Sequence, residues 1–393
     1  MLESLIHLSI RHRWLVLAAT LMLIAIGGWS FTKLPIDATP DITNVQVQIN
    51  TAAPGYSPLE TEQRVTFPIE TALAGLPRLD YTRSLSAYGL SQVTVVFEDG
   101  TDLYFARQQV AERVQEIRSQ LPDDVDAALG PAATGLGEIF MYTVEAAPDA
   151  RRPDGAPYTA TDLRTLQDWV LRPQLRNVPG VTEVNTIGGF TRQLHITPDP
   201  AMLVALDLSF EDVVAAVANN NRNVGAGYIE RNGQRLLVRV PGQVADLEAI
   251  GNIVLARRDG VPIHVHDVAS VGEGRELRTG AATQDGEEVV LGTVFMLVGE
   301  NSRTVAQAVA ARLDTANASL PEGVRATAVY DRTALVERTI RTVAKNLIEG
   351  ALLVIVVLFL LLGNVRAALL TALVIPLTML FTVIGMRQGG VSG

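Results

Sequence analysis

Three long uncharged stretches constrain this chain more than any other feature. They span Trp14–Thr32, Gly350–Val365 and Ala367–Met386, with charged residues at their borders. A helix needs about 20 apolar residues to cross the ~30 Å hydrocarbon core of a bilayer. The first and third stretches have that length, and the second reaches it when it is extended back past Glu349. Since three such stretches are too many for buried core helices of a soluble protein, the sequence predicts three transmembrane helices.

The arginines beside the short segments predict the orientation of these helices. Arg11 and Arg13 precede the first stretch, and Arg366 lies between the second and the third. Short loops rich in Lys and Arg stay in the cytoplasm. We therefore expect the long segment 34–340 to face the periplasm. Lys33-Leu34-Pro35 follows the first stretch in place of a small-residue cleavage site, so this stretch is interpreted as an anchor that is kept.

The charge balance and the residue types exclude several classes of protein. The chain has 42 Asp and Glu against 32 Lys and Arg, a net charge of −10, which argues against a nucleic-acid partner. It has no Cys, so disulfides, thiolate metal sites and thiol nucleophiles are excluded. Gly135-x-Gly137 lacks the Lys and Ser/Thr of a phosphate-binding loop, and no cofactor is predicted.

Hydrophobic periodicity in the long segment indicates a repeated β-α-β-β-α-β pattern. Residues 42–130 give the first copy, and the second begins near Glu138. Two helices on one face of an antiparallel sheet form the ferredoxin-like, split βαβ arrangement. The second copy is interrupted by residues 188–280, which are too many for a loop and predict an inserted subdomain. Within it, Asn232-Gly233 lies between two strand-like runs and predicts a tight hairpin.

Several short motifs, in order along the chain, resemble one family of transporters. They are Pro35-Ile36-Asp37-Ala38-Thr39-Pro40-Asp41, Gly55-Tyr56-Ser57-Pro58, Pro68-Ile69-Glu70, Phe97-Glu98-Asp99-Gly100-Thr101-Asp102, Gly130-Pro131, Thr134-Gly135-Leu136-Gly137-Glu138-Ile139, Leu166-Gln167-Asp168-Trp169, Gly188-Gly189 and Tyr330-Asp331-Arg332. Together they resemble the resistance-nodulation-division (RND) efflux pumps, specifically the heavy-metal branch of the CzcA/CusA type.

The resemblance implies an α+β membrane protein that acts as a secondary active transporter and not as an enzyme. It implies a homotrimer in the bacterial inner membrane that exchanges protons for metal cations. Its implied partners are a periplasmic adaptor (a membrane fusion protein) and an outer-membrane channel. Family members are more than twice as long, and their proton-relay span lies beyond this stretch. We therefore expect this chain to be an N-terminal fragment that does not pump alone.

The apolar stretches and the resemblance predict eight segments. They are residues 1–33, an amphipathic segment and the first transmembrane helix; 34–130, the first porter subdomain; 131–187, the first half of the second porter subdomain; 188–280, the inserted docking subdomain; 281–332, the second half of the second porter subdomain; 333–365 and 366–387, the second and third transmembrane helices; and 388–393, a truncated end.

Glu138 is the candidate metal ligand. It follows a glycine-rich turn and opens a strand at the junction of the two copies. A carboxylate suits Zn, Co, Cd or Ni better than copper(I), so a divalent metal is the expected transported substrate. A solvated Glu at the start of a strand is the alternative. His264 and His266 alternate in Ile263-His264-Val265-His266-Asp267, which predicts one strand face that either binds zinc or copper or is simply polar.

Two other functions stay open at this point. A multidrug RND efflux subunit would favour an aromatic-rich external segment, whereas the chain is 5% aromatic. A membrane-anchored periplasmic sensor would need a cytoplasmic signalling domain after the spans. The leading interpretation is a divalent-metal exporter.

Overall fold

The computed structural model describes residues 9–33, 43–240, 242–244, 246–258, 260–278, 280–362, 366 and 372–389. The predicted amphipathic segment before residue 9, the motif at 35–41 and the end at 390–393 lie outside these residues. The chain forms two compact units. Unit 1 draws on residues up to 144, 169–186 and from 291 onward, and unit 2 consists of 145–168 and 187–290.

The helices alternate with strands through most of the described chain. The α-helices, α1 to α13, span Arg13–Lys33, Pro58–Thr61, Phe67–Leu73, Leu103–Ile117, Ala160–Leu166, Arg172–Arg176, Pro200–Ala205, Phe210–Asn220, Leu247–Gly251, Val265–Val268, Ser302–Asn317, Arg332–Leu362 and Val374–Gln388. Short π-helical segments span Glu62–Thr66 and Gln167–Leu171, and 3₁₀ turns span Arg118–Gln120 and Gly135–Gly137.

The strands, β1 to β15, form two main sheets and three ribbons. They span Gln46–Ala52, Leu79–Ala87, Leu90–Phe97, Asp126–Leu129, Glu138–Ala146, Val181–Ile187, Arg192–Pro198, Val224–Arg231, Gln234–Val240, Val254–Arg258, Val261–His264, Ala269–Arg275, Ala282–Gln284, Glu287–Met296 and Val324–Asp331.

The first sheet has the split βαβ topology predicted for residues 42–130. Its order is β2-β3-β1-β4, and each neighbouring pair is antiparallel. Ile49 is fully buried on the central strand, opposite Val93 on one side and Leu129 on the other. The apolar stripe of α4, which includes Val110, packs into the same core. Each such buried side chain stabilises the fold by about 1.5–3 kcal/mol. The shared core therefore holds α3 and α4 against the first sheet.

The second sheet repeats this order, with β6, β14, β5 and β15 in the places of β2, β3, β1 and β4. β14 lies between β5 and β6, and β5 lies between β14 and β15. The chain leaves the sheet after β6 and returns at β13, so the stretch between them interrupts the second copy as predicted. Gly292 on β14 lies against fully buried Tyr142 on β5, and a Cβ on Gly292 would lie 2.6 Å from the Tyr142 hydroxyl. Only glycine fits there without displacing the ring.

In each copy of the β-α-β-β-α-β pattern, a helix contains a π-helical segment just before a proline. The π segment Glu62–Thr66 precedes Pro68, and the π segment Gln167–Leu171 precedes Pro173. Proline has no N–H, and its ring clashes with the carbonyl four residues earlier, so the helix in front of it must loosen. Pro173 therefore accounts for the break in regular α-helix between Ala160 and Arg176.

Among the residues that the structure describes, two helices are long and apolar enough to cross a membrane. Their candidate spans are Arg13–Phe31 and Arg332–Leu361. The second helix begins at Arg332, next to the predicted start of its segment at 333, because residues 332–349 contain neither Gly nor Pro and continue the helix backward from the uncharged stretch. The third predicted span begins outside the described residues; its described part is the 15-residue apolar helix α13.

α1 and α13 pack closely within unit 1. A Cβ built on Gly27 would lie 2.7 Å from Leu380 Cβ, so glycine permits the approach. At the end of the contact, the Arg387 guanidinium lies 3.9 Å from the centre of the Trp29 ring, a cation–π geometry.

Unit 2 contains three ribbons and a small core. β7 pairs with β12, β8 with β9, and β10 with β11, all antiparallel. Asn232 and Gly233 have φ of 51° and 73°, as a type I′ turn requires, so the predicted hairpin is confirmed. The core buries Leu203, Val213, Ile263 and Val268.

Candidate functional site

Glu138 lies where a tight turn becomes a buried strand. The 3₁₀ turn Gly135–Gly137 ends at Glu138, which is the first residue of β5 and is partly exposed. The next two residues, Ile139 and Phe140, are fully buried. Their burial fixes the start of the strand and leaves the partly exposed Glu138 at its first position.

Backbone contacts hold the turn in front of Glu138. The Gly137 amide donates to the Thr134 carbonyl at 2.9 Å. A Cβ on Gly137 would lie 3.3 Å from the Met296 carbonyl oxygen, so the turn is packed against the end of β14. The Val298 amide also donates to the Ala132 carbonyl at 3.2 Å. The loop before Glu138 is therefore fixed to the second sheet.

A buried arginine ties the same turn to the long apolar helix. Arg332 is the first residue of α12, is 5% exposed, and donates from Nη1 to the Leu136 carbonyl. A hydrogen bond from a charged donor contributes about 1.5–3 kcal/mol. The backbone two residues before Glu138 is thus coupled to the start of a candidate membrane helix.

Sequence reasoning noted Tyr330-Asp331-Arg332 as a motif but not this role. Leu136 and Arg332 are 196 positions apart, and no local periodicity relates them. The available signal was an arginine at the first position of an apolar helix, which alone indicates a surface charge.

That Glu138 is a metal ligand stays a prediction. In the part of the chain that the structure describes, Glu138 belongs to no group of three or more His, Asp and Glu side chains positioned to share a metal ion. A cation bound at Glu138 therefore needs further ligands from elsewhere.

The predicted histidine strand is wrong, because β11 ends at His264. Residues Val265–Val268 form a helical turn in which His266 lies. The Asp267 carboxylate accepts the His264 amide at 2.8 Å, which caps the turn, and Val265 and Val268 are buried beneath it. The turn still brings the two imidazoles together, with ring centres 5.1 Å apart.

The accepted hydrogen bond perturbs Asp267. It lowers the pKa of the Asp267 carboxyl below its usual value, against a smaller effect of burial, with His266 and His264 as further lowering influences. Asp267 therefore stays ionised near neutral pH and presents a carboxylate beside two imidazoles.

Known proteins match the chain along almost its whole length. The AcrB/AcrD/AcrF family matches residues 5–392. Protein HelA of Legionella pneumophila is 62% identical over 100% of this chain and 37% of its own length. The cobalt-zinc-cadmium resistance protein CzcA of Cupriavidus metallidurans is 61% identical over 98% of this chain and 36% of its own length. The chain thus spans little more than a third of these relatives.

The fold matches as well. A crystal structure of a heavy metal efflux pump aligns with a TM-score of 0.90 and 33% identity, covering 99% of this chain and 38% of that one. The predicted resemblance is confirmed: the chain belongs to the AcrB/AcrD/AcrF family of RND efflux transporters, in its heavy-metal branch.

Proposed function

We propose that this chain forms part of a proton-driven exporter of divalent metal cations such as Zn, Co, Cd or Ni in the bacterial inner membrane. The pattern of similarity supports the divalent class. Identity is 61% to CzcA, a cobalt-zinc-cadmium resistance protein, and 48% to CnrA, a nickel and cobalt resistance protein. It falls to 38% for the cation efflux protein CusA of Escherichia coli.

The observation that carries the proposal is the placement of Glu138. Glu138 is partly exposed at the start of β5, and Arg332 connects the preceding turn to α12. Carboxylate oxygen suits borderline divalent cations better than soft monovalent copper. An exporter must also link its external metal site to movements of its membrane helices, and the Arg332–Leu136 bond provides one direct link.

Metal tolerance of cells tests this role. In a full-length transporter that carries this chain, Glu138→Gln keeps the shape of the side chain and removes its charge. Loss of one carboxylate ligand should weaken divalent binding about tenfold, or about 1.4 kcal/mol, and lower zinc and cobalt tolerance. Glu145→Gln is the matched control, because Glu145 is exposed near the other end of the same strand. Equal tolerance of the two variants would make Glu138 an ordinary surface residue.

The proposed topology places the N-terminus in the cytoplasm and residues 34–340 in the periplasm. Arg11, Arg13 and Arg366 support this orientation through their position beside short segments. The two sheets would then serve as porter subdomains and the insert 188–280 as a docking subdomain. A periplasmic adaptor and an outer-membrane channel are the proposed partners.

The hairpin β8–β9 is the proposed trimer contact. Tyr228, Ile229 and Leu236 are 55%, 58% and 52% exposed on this two-stranded ribbon. Such a ribbon is marginal in water, and its exposed apolar side chains gain stability when a second chain covers them. Deleting 228–238 from the full-length transporter should lower the trimer fraction in native mass measurements while both sheets stay folded. An unchanged trimer fraction would contradict this role of the hairpin.

A further inference from the structure

The helical turn after β11 brings three potential metal ligands together in unit 2. His264, His266 and Asp267 each offer one ligand atom, and these atoms all lie within 4.8 Å of one another. The His264 and His266 rings stack with an interplanar angle of 8°. The capped turn and the buried Val265 and Val268 fix the backbone on which all three residues are carried.

The distances are close to those of a coordinated cation. Asp267 Oδ1 lies 3.3 Å from His266 Nε2, and Asp267 Oδ2 lies 3.5 Å from His264 Nδ1. Two ligands at about 2.0–2.1 Å from a tetrahedral zinc ion are about 3.3 Å apart. All three ligand atoms lie within 4.8 Å of one another, and the two imidazoles must rotate out of their present parallel arrangement to direct both nitrogens at one ion.

The hydrogen bond of His266 defines which of its nitrogens can bind a metal. His266 Nδ1 lies 2.8 Å from the Gly251 carbonyl oxygen, which can only accept, so Nδ1 carries the proton and donates. In a neutral ring this leaves the lone pair on Nε2, the atom that faces Asp267 Oδ1. A backbone carbonyl that orients the second nitrogen in this way is a usual partner of metal-bound histidine.

That arrangement places two acceptors face to face. His266 Nε2 and Asp267 Oδ1 lie 3.3 Å apart, so a cation between them would contact both atoms. The capping role of Asp267 uses Oδ2 and does not account for the position of Oδ1. One divalent cation satisfies both nitrogens and the carboxylate at once.

We infer that His264, His266 and Asp267 form a surface site for a divalent cation of the zinc class. Two nitrogen ligands and one oxygen ligand leave a further position for water. The side chains are 27%, 52% and 41% exposed, so the ion exchanges directly with the surrounding solution. The site is separate from Glu138 and does not depend on the proposed transport function.

Zinc titration of the full purified chain against a chromophoric chelator tests the site. The wild-type chain should hold one zinc ion that becomes at least tenfold weaker in His264→Gln and in His266→Gln. His195→Gln is the matched control, since His195 is an exposed histidine of the same unit whose ring faces Gln193 at 3.2 Å. Glu138→Gln should leave this zinc ion in place, which separates the result from any failure of the transport proposal.

Unchanged zinc affinity in both His264→Gln and His266→Gln would overturn the inference, as would an equal loss in His195→Gln. X-ray absorption of the zinc-loaded wild-type chain gives a second measurement that needs no variant. Two imidazole ligands and light-atom ligands in the remaining positions are expected. A spectrum without imidazole ligands would contradict the site even if a histidine variant misfolds.

Discussion

Replacing Gly27 by alanine perturbs the contact between α1 and α13 in a way that can be calculated from the structure. The new Cβ would lie 2.7 Å from Leu380 Cβ and 3.2 Å from Leu380 Cδ2. Carbon atoms in contact are normally about 3.5–4.0 Å apart, so the helices must separate by about 1 Å. Overpacking of this kind costs about 1–3 kcal/mol.

Gly28 provides the matched control, because a Cβ there meets nothing within 4 Å. Both substitutions remove a helix-interior glycine and gain up to about 1 kcal/mol of helix propensity. The propensity gain therefore cancels in the comparison, and the overpacking cost remains. Gly27→Ala should destabilise the helix contact relative to Gly28→Ala by about 1–3 kcal/mol.

Crosslinking in membranes measures this contact. The chain has no cysteine, so Trp29→Cys with Arg387→Cys introduces a unique pair where the two side chains now meet. A short bifunctional thiol reagent should link the pair quickly in the parent and in Gly28→Ala, and more slowly in Gly27→Ala. Leu380→Gly removes the clashing Cβ and should restore the rate. Equal crosslinking rates in Gly27→Ala and Gly28→Ala would refute the proposed packing.

The remaining predictions concern pH and topology. Burial raises the pKa of Asp162, but hydrogen bonds from Thr159 outweigh that effect and lower the pKa below 3.8. The ionised Asp162 carboxylate therefore stabilises the fold above pH 3.8. This stabilisation is lost as the pH falls through the pKa of Asp162 in the folded state. Thr159→Ala should therefore reduce thermal stability more at pH 6 than at pH 2.5. Thr165→Ala is the control and should show no such pH dependence, because the Thr165 hydroxyl donates to a backbone carbonyl. If the loss of stability in Thr159→Ala were the same at both pH values, the assignment would be contradicted. For topology, a membrane-impermeant thiol reagent added outside should label Thr191→Cys and not Ser9→Cys, and the reverse pattern would invert the orientation.

Local chemistry made much of the fold predictable. Three features depend only on residues close in sequence. They are the alternation of buried residues along β1 around Ile49, the apolar stripe of α4 through Val110 and the Asn232-Gly233 turn. The two sheets therefore follow from periodicity and turn residues. The long helix α12 lies within one residue of the predicted start at 333, because the residues before its uncharged stretch also favour a helix.

The features missed by sequence analysis depend on contacts that periodicity does not report. The Arg332–Leu136 bond joins residues 196 positions apart. His264 and His266 alternate as in a strand, yet Asp267 caps a turn there and changes the local geometry. The sequence pointed to Glu138 as a candidate residue. That the turn before Glu138 is bonded to α12 could be seen only in the folded structure.

Zinc flux in proteoliposomes tests the central claim most directly. A full-length transporter that carries this chain would be reconstituted with a proton gradient, and Zn²⁺ movement would be followed with a trapped fluorescent indicator. At zinc concentrations below saturation, Glu138→Gln should reduce the flux about tenfold, as expected for the loss of one ligand, while Glu145→Gln should match the wild type. Undiminished flux in Glu138→Gln, or an equal reduction in both variants, would contradict a role for Glu138 in binding the exported cation.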